Sequence, residues 1–138
     1  MAVDLRRYRQ ETAPMGTNDW SLNVVGESYR NPDGSSRQTE IARCRAGEAV
    51  ILTREPDNRH DTNAVAVHSA RGVQIGYVAA EHARWIGGKI DDGHRVLALI
   101  ERIHGGTKGK PSRGVLIRLN LEGEQPAKPS FMRRLFGS

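Results

Sequence analysis

The sequence predicts a mostly β domain: a small barrel of about six short strands, with one short helix and a few helical turns. Three observations carry this. Short runs of Val, Ile, Leu and Ala alternate with polar residues, the period of a half-buried strand. Clusters of Gly, Pro, Asn and Asp separate those runs, as turns require. Only one segment, from Ala79 to Ile90, keeps a helical period. Aromatic residues make up just 5% of the chain, so the core must rest on small aliphatic side chains.

The elements follow in order. Residues Met1 to Asp19 have no periodicity and carry Pro14 and Gly16, so they are expected to form an extension without regular structure. Trp20 to Gly26 alternates and reads as the first strand. Asn31-Pro32-Asp33-Gly34 is a turn. Gln38 to Arg45 is expected to hold a short helical turn with Ile41 and Ala42 inward, and Glu48 to Arg54 reads as a strand. Ala64 to His68 and Val73 to Val78 form a hairpin around Arg71-Gly72. Ala79 to Ile90 follows as a helix with Ala83, Ile86 and Ile90 on one stripe and Glu81 in its first turn, where the helix dipole favours an acid. Gly87-Gly88 argues against that helix, since glycine costs about 1 kcal/mol relative to alanine in a helix interior.

Arg95 to Ile103 is expected to be a long strand with Val96, Ala98 and Ile100 on one face and Leu97, Leu99 and Ile103 on the other. Gly114 to Leu121 is the last strand, with Val115, Ile117, Leu119 and Leu121 inward and Leu116, Arg118 and Asn120 outward. The resulting domain spans residues 20–121. Barrels of this kind resemble the oligonucleotide-binding (OB) fold in architecture, and architecture alone assigns no function.

Length and composition set further bounds. A chain of 138 residues makes one domain with short tails. No apolar run approaches the roughly 20 residues of a membrane helix. The N-terminus lacks the apolar core of a secretory signal. A single cysteine, Cys44, excludes an internal disulfide and a thiolate zinc site, and a cytoplasmic location is expected. Met1 and the ending at Ser138 read as a complete chain. The formal charge of +5 makes an anionic partner plausible, nucleic acid first. Residues 122–138 read as a Pro-bearing linker and an apolar, basic tail. Its Phe131, Leu135 and Phe136 suit docking on a protein partner or on the domain itself.

Several chemistries can be set aside on spacing. Gly105 to Ser112 imitates a phosphate-binding loop, but it is one residue short and Pro111 follows Lys110 where a helix should begin. It is better read as a basic hairpin whose Lys108, Lys110 and Arg113 can touch phosphates. The five histidines show no paired metal-ligand spacing, Cys44 has no activating motif, and no cofactor or metal is expected. A metal-dependent nuclease using Glu55, Asp57 and Asp61 remains as an alternative, and so does a module that binds a peptide terminus.

The densest side-chain chemistry lies in one loop. From Leu52 to Val67 an apolar run breaks into Arg54-Glu55-Pro56-Asp57-Asn58-Arg59-His60-Asp61-Thr62-Asn63 and then resumes. A turn needs far less than this, so the loop is a candidate ligand site. Structural readings stand beside that one. Asp61 and Asn63 can cap the turn, Asn58 can take a positive φ, Arg54 can serve either way, and Tyr29 and Tyr77 can sit on a barrel rim.

Three motifs in this order resemble the HIRAN domain family: Val24-Val25-Gly26-Glu27-Ser28-Tyr29, the whole Leu52–Val67 loop, and Ile75-Gly76-Tyr77-Val78. The likeness covers roughly Leu22 to Ile103. It implies an OB-like barrel that captures single-stranded DNA at a 3′-hydroxyl end, without catalysis, in repair or replication-fork processing. It further implies that Tyr29 stacks on a base, that Asp61 accepts a hydrogen bond from the terminal hydroxyl, and that Asn58 shapes the pocket. His60 stands where animal members carry an aromatic residue, and it can stack more weakly. Ser28 stands where they carry an arginine, so Arg30, Arg59 or the Lys108–Arg113 loop would have to supply that phosphate contact. Arg54 and Tyr77 complete the expected DNA-binding set.

Overall fold

A computed structural model describes residues 19–126, with side chains as far as Asn120. The expected extension and the tail bearing Phe131, Leu135 and Phe136 lie outside the described residues. The described chain runs β1 (Asp19–Val25), α1 (Arg37–Arg43), β2 (Ile51–Arg54), β3 (Val65–His68), β4 (Gln74–Val78), α2 (Ala80–Asp91), β5 (His94–Gly105) and β6 (Arg113–Pro126).

All six strands form one antiparallel sheet in the order β2-β3-β4-β1-β6-β5. The sheet curls until its ends meet. Ala49, just before β2, bridges to Leu99 of β5, and hydrogen bonds from Gly47 N to Ile100 O (2.7 Å) and from Ile100 N to Glu48 O (2.8 Å) secure the corner. The expected small OB-like barrel is therefore the fold, built as a curled, half-barrel sheet drawn together at this corner. The strand expected from Glu48 is split in function: residues 47–50 pair with β5, and Ile51–Arg54 pair with β3.

The core is aliphatic, as the composition requires. Ile41, Val65, Val67, Ile75, Ile86, Ile100, Val115, Ile117 and Leu119 are all buried, and Leu52, Trp85, Ile90 and Ile103 pack against them. Ile100 and Ile103 both reach this core although strict alternation puts them on opposite faces. A bulge between Ile100 and Arg102, where β5 slips against β6, restores Ile103 to the inner side.

Other departures are local. The helical turn near Gln38 is a true helix, α1, capped by Ser36, whose Oγ accepts from Thr39 N at 3.1 Å. The described residues thus hold two helices, not one. Ile41 is inward, but Ala42 is exposed and its neighbour Glu40 is buried instead. Glu40 is held by Arg71 Nε at 2.6 Å, and Arg71 also reaches Glu48 and the Cys44 sulfur. Burial pushes the Cys44 thiol up to about 11. Asn120 was expected outward, yet it is 2% exposed and donates to Asp19 at the start of β1. The last strand runs on to Pro126, where it pairs with His94, instead of stopping at Leu121.

Gly87 does not break α2, because its missing side chain leaves room for Arg54. A Cβ there would lie 2.8 Å from Arg54 Cδ. Gly76 is needed more strictly, since a Cβ would meet Val24 and come within 2.5 Å of the Val25 carbonyl where β4 crosses β1.

Candidate nucleic-acid interface

The Leu52–Val67 loop is organised by two of its own side chains. Asn58 Oδ1 accepts from His60 N (2.8 Å) and Asp61 N (3.0 Å), while Asn58 Nδ2 donates to Glu55 Oε1 at 3.0 Å. Asp61 Oδ1 accepts from Asn63 N at 2.8 Å. These are side-chain-to-backbone turns of the kind Asn and Asp form readily. They turn the chain without the positive φ that was one reading of Asn58; no described non-glycine residue has one.

Arg54 locks the loop onto the barrel. Its guanidinium donates to the carbonyls of Thr62 (3.1 Å) and Ala64 (3.4 Å) and pairs with Asp91 of α2 at 3.1 Å. Its donors face the protein's own oxygens, which makes it a scaffold residue of the loop.

The loop folds over the ends of β1 and β4 to form a cleft of about 270 Å³. Its polar side carries Asn58, His60, Asp61 and Tyr77, four residues from the expected set. Its floor is apolar, from Val25, Ala64, Val78 and Ala80. Tyr77 is oriented by its hydroxyl, which donates to Glu55 Oε1 at 2.9 Å. Tyr29 does not line the cleft. It sits at the rim, 72% exposed as a residue, across Gly26 from Tyr77: a Cβ on Gly26 would lie 3.8 Å from one ring and 3.9 Å from the other.

The basic hairpin joins this surface through Gln38. Gln38 Nε2 donates to Glu27 O (3.0 Å) and Arg113 O (2.9 Å), and Gln38 Oε1 accepts from Arg113 N at 2.7 Å. The Gly26–Arg30 loop and the base of the β5–β6 hairpin are therefore neighbours. Lys108 is exposed at the hairpin tip, and Lys110 Nζ lies 3.1 Å from His104 Nδ1. Arg59 is exposed in the long loop. Among the described residues no three His, Cys, Asp or Glu side chains gather as a metal site. No described helix is long and apolar enough to cross a membrane.

Sequence reasoning missed the floor of the cleft and two supporting residues. Val25, Ala64, Val78 and Ala80 are ordinary strand and helix residues with no local mark. Glu55 was noticed as a carboxylate but not as the acceptor for Tyr77 and Asn58. Arg37 gave no signal at all, although its guanidinium lies 5.4 Å from the centre of the Tyr77 ring. A second depression of about 380 Å³ lies between the Asn31–Ser35 turn and the β3–β4 hairpin; it holds none of the expected residues.

The chain is thus an OB-like half-barrel with a small apolar-floored cleft at its rim, overhung by one polar loop. The family model of the HIRAN domain matches residues 18–115, and the chain belongs to that family. Among solved structures, a Lactobacillus plantarum protein is 25% identical over 74% of this chain and 98% of its own, with a TM-score of 0.55. The HIRAN domain of human HLTF is 20% identical over 78% of this chain and 79% of its own, with a TM-score of 0.53. A further structure shows the HLTF HIRAN domain in its DNA-bound conformation, at 20% identity over 88% and 89% of the two chains and a TM-score of 0.49. No curated protein matches the chain in sequence.

Proposed function

We propose that this domain captures single-stranded DNA at the β1–β4 cleft and recognises its 3′-hydroxyl end. It performs no chemistry of its own and serves repair or replication-fork processing by delivering ends to a partner enzyme. The observation that carries this reading is the convergence of Asn58, His60, Asp61 and Tyr77 on one apolar-floored cleft, with Tyr29 exposed at its rim. Ligand pockets usually enclose about 300–1,000 Å³, so a cleft of about 270 Å³, just below that range, suits one terminal nucleotide better than an extended segment.

Each group then has a task. Tyr29 offers an open ring face, and base stacking on such a ring contributes about 1–3 kcal/mol. His60 adds a smaller π face at the mouth. Asp61 uses one oxygen for Asn63 and keeps lone pairs for a terminal hydroxyl, which a carboxylate accepts strongly. The apolar floor fits the sugar face. Arg59, Lys108, Lys110 and Arg113 meet phosphates, in place of the contact that Ser28 cannot make. Glu55 and Asp61, two of the acids a nuclease would use, are engaged in ordering the loop.

The test is fluorescence anisotropy of paired short single-stranded oligonucleotides, one ending in a 3′-hydroxyl and one in a 3′-phosphate, across a salt series. Tighter binding of the hydroxyl end, with affinity falling as salt rises, is the expected result. Equal affinity for both ends would reduce the domain to a generic single-strand binder. No salt-dependent binding at all would turn the search to peptide termini, and metal-dependent cleavage of the oligonucleotide would install the nuclease reading.

A further inference from the structure

Arg37 opens α1 and is only 5% exposed. A guanidinium stays charged, and a buried charge is costly unless it is paired and hydrogen-bonded. The other strongly buried charge, Glu40, follows that rule through Arg71. Arg37 does not: among the described residues no carboxylate lies within ion-pairing distance of it. Its partners are neutral: Tyr77 lines the cleft, Gly26 follows the cleft residue Val25, and Asn31 stands in the turn that lines the second depression. Nε donates to Asn31 Oδ1 at 2.7 Å, Nη1 donates to Gly26 O at 2.8 Å, and the guanidinium faces the Tyr77 ring at 5.4 Å. A Cβ placed on Gly26 would lie 3.4 Å from Nη1 and within 3.9 Å of both tyrosine rings. The guanidinium, the Gly26 loop, Tyr29 and Tyr77 therefore meet at one point.

We propose that Arg37 is the positioning residue of the nucleotide slot: its buried fork holds the Gly26 carbonyl, and with it the loop bearing Tyr29, while its planar face fixes the ring of Tyr77. This rests on the single-strand reading above. A guanidinium presents donors in fixed directions and stacks on an aromatic face; an ammonium does neither in the same way. A hydrophobic residue would hold Tyr77 but not the carbonyl, and a carboxylate beside the fork would pull it off Gly26. The missing acid also leaves positive charge behind the slot wall, which favours a phosphate-bearing strand.

Arg37→Lys tests this because it keeps the charge and loses the fork. Two readouts are taken with melting curves as a control. The first is binding and fluorescence of oligonucleotides carrying 2-aminopurine at the 3′-terminal or at an internal position, since stacking quenches that base. The second is the Tyr29 and Tyr77 ring resonances in the free protein. Arg37→Lys is expected to fold cooperatively, to keep the salt dependence of binding, and to lose roughly tenfold in affinity, the cost of one hydrogen bond to a charged group. The quench is lost at the terminal position only, and both tyrosine ring resonances shift while the Lys108 amide does not.

Full rescue by lysine, or unmoved tyrosine resonances, would overturn the proposal. If the wild-type protein binds neither oligonucleotide, the single-strand reading fails and the resonances alone decide on Arg37. If Arg37→Lys does not fold, Asn31→Ala decides: it removes the Nε acceptor, together with the Asn31 amide's bonds to Ser35 and Gln74, and should give the same pattern, weaker. Ser35→Ala, which takes a partner from the Asn31 amide but spares that acceptor, should not.

Discussion

Asp61 carries two roles that substitution can separate. In the folded loop its Oδ1 accepts from Asn63 N at 2.8 Å, and its backbone is held by Asn58 Oδ1 and Ala64 N. Asp61→Asn keeps an acceptor oxygen at that position and the backbone bonds, and removes only the charge. Asp61→Ala removes the acceptor as well. The turn bond is worth about 0.5–1.5 kcal/mol net, so the alanine variant should melt about 2–10 °C lower and the asparagine variant should melt near the wild type. Binding should rank differently. A hydroxyl donating to a charged carboxylate contributes about 1.5–3 kcal/mol, so Asp61→Ala should bind a 3′-hydroxyl oligonucleotide about 10- to 150-fold more weakly. Asp61→Asn should fall between, because a neutral acceptor is roughly half as strong. Both variants should bind a 3′-phosphate oligonucleotide at least as well as the wild type, since the repelling carboxylate is gone. Anisotropy at one fixed salt concentration reads all of this. Equal losses for both ends, or affinities that follow the melting temperatures instead of the charge, would refute the assignment of Asp61 to the terminal hydroxyl.

Three further outcomes follow from the packing. Arg71→Met leaves Glu40, 3% exposed, without its 2.6 Å partner; because Arg71 is itself 37% exposed the cost should stay near 2 kcal/mol, below that of a fully buried pair, as urea unfolding will show. Gly76→Ala forces a methyl group against Val24 and the Val25 carbonyl, so β4 must move off β1; about 1–3 kcal/mol of stability should go, with DNA binding weakened because Tyr77 and Val25 shift with it. Burial holds the His68 imidazole below the usual histidine range, and its Nδ1 is buried without a partner. The unfolded chain therefore binds that proton more readily, so this contribution is complete above about pH 6.5 and is lost as pH falls through the lowered folded value. Thermal melts between pH 7 and 5 should decline less steeply in His68→Gln. The hydrogen bond from Ser21, with Arg118 beside it, holds the Glu101 carboxyl low, so its own contribution fades only at more acid pH and does not overlap.

Much of the barrel was legible in the chain. Alternation located the strands, turn residues located their ends, and the helical stripe of Ala83 and Ile86 found α2. The errors have physical causes. Alternation cannot see a bulge, so Ile103 was put on the wrong side of β5 until the slip against β6 was known. Residue type alone made Ala42 inward and gave no sign that Glu40 is buried, because a buried acid becomes tolerable only when a distant arginine reaches it. Gly87 counted against a helix until Arg54 was found lying across it.

The same division holds for the cleft. The loop was readable from residue types: Asn58 and Asp61 bond to backbone groups within three residues, so their geometry is local and their identities suffice to suggest it. The sequence also carried the family, through three motifs whose order survives in one chain. What the loop closes over came from the folded barrel alone. Val25, Tyr77 and Ala80 come from β1, β4 and α2, and Arg37 reaches the Tyr77 ring from another helix. Contacts between residues far apart in the chain depend on sheet register and curvature, which are fixed by the packing of the whole barrel and leave no local mark on any one residue.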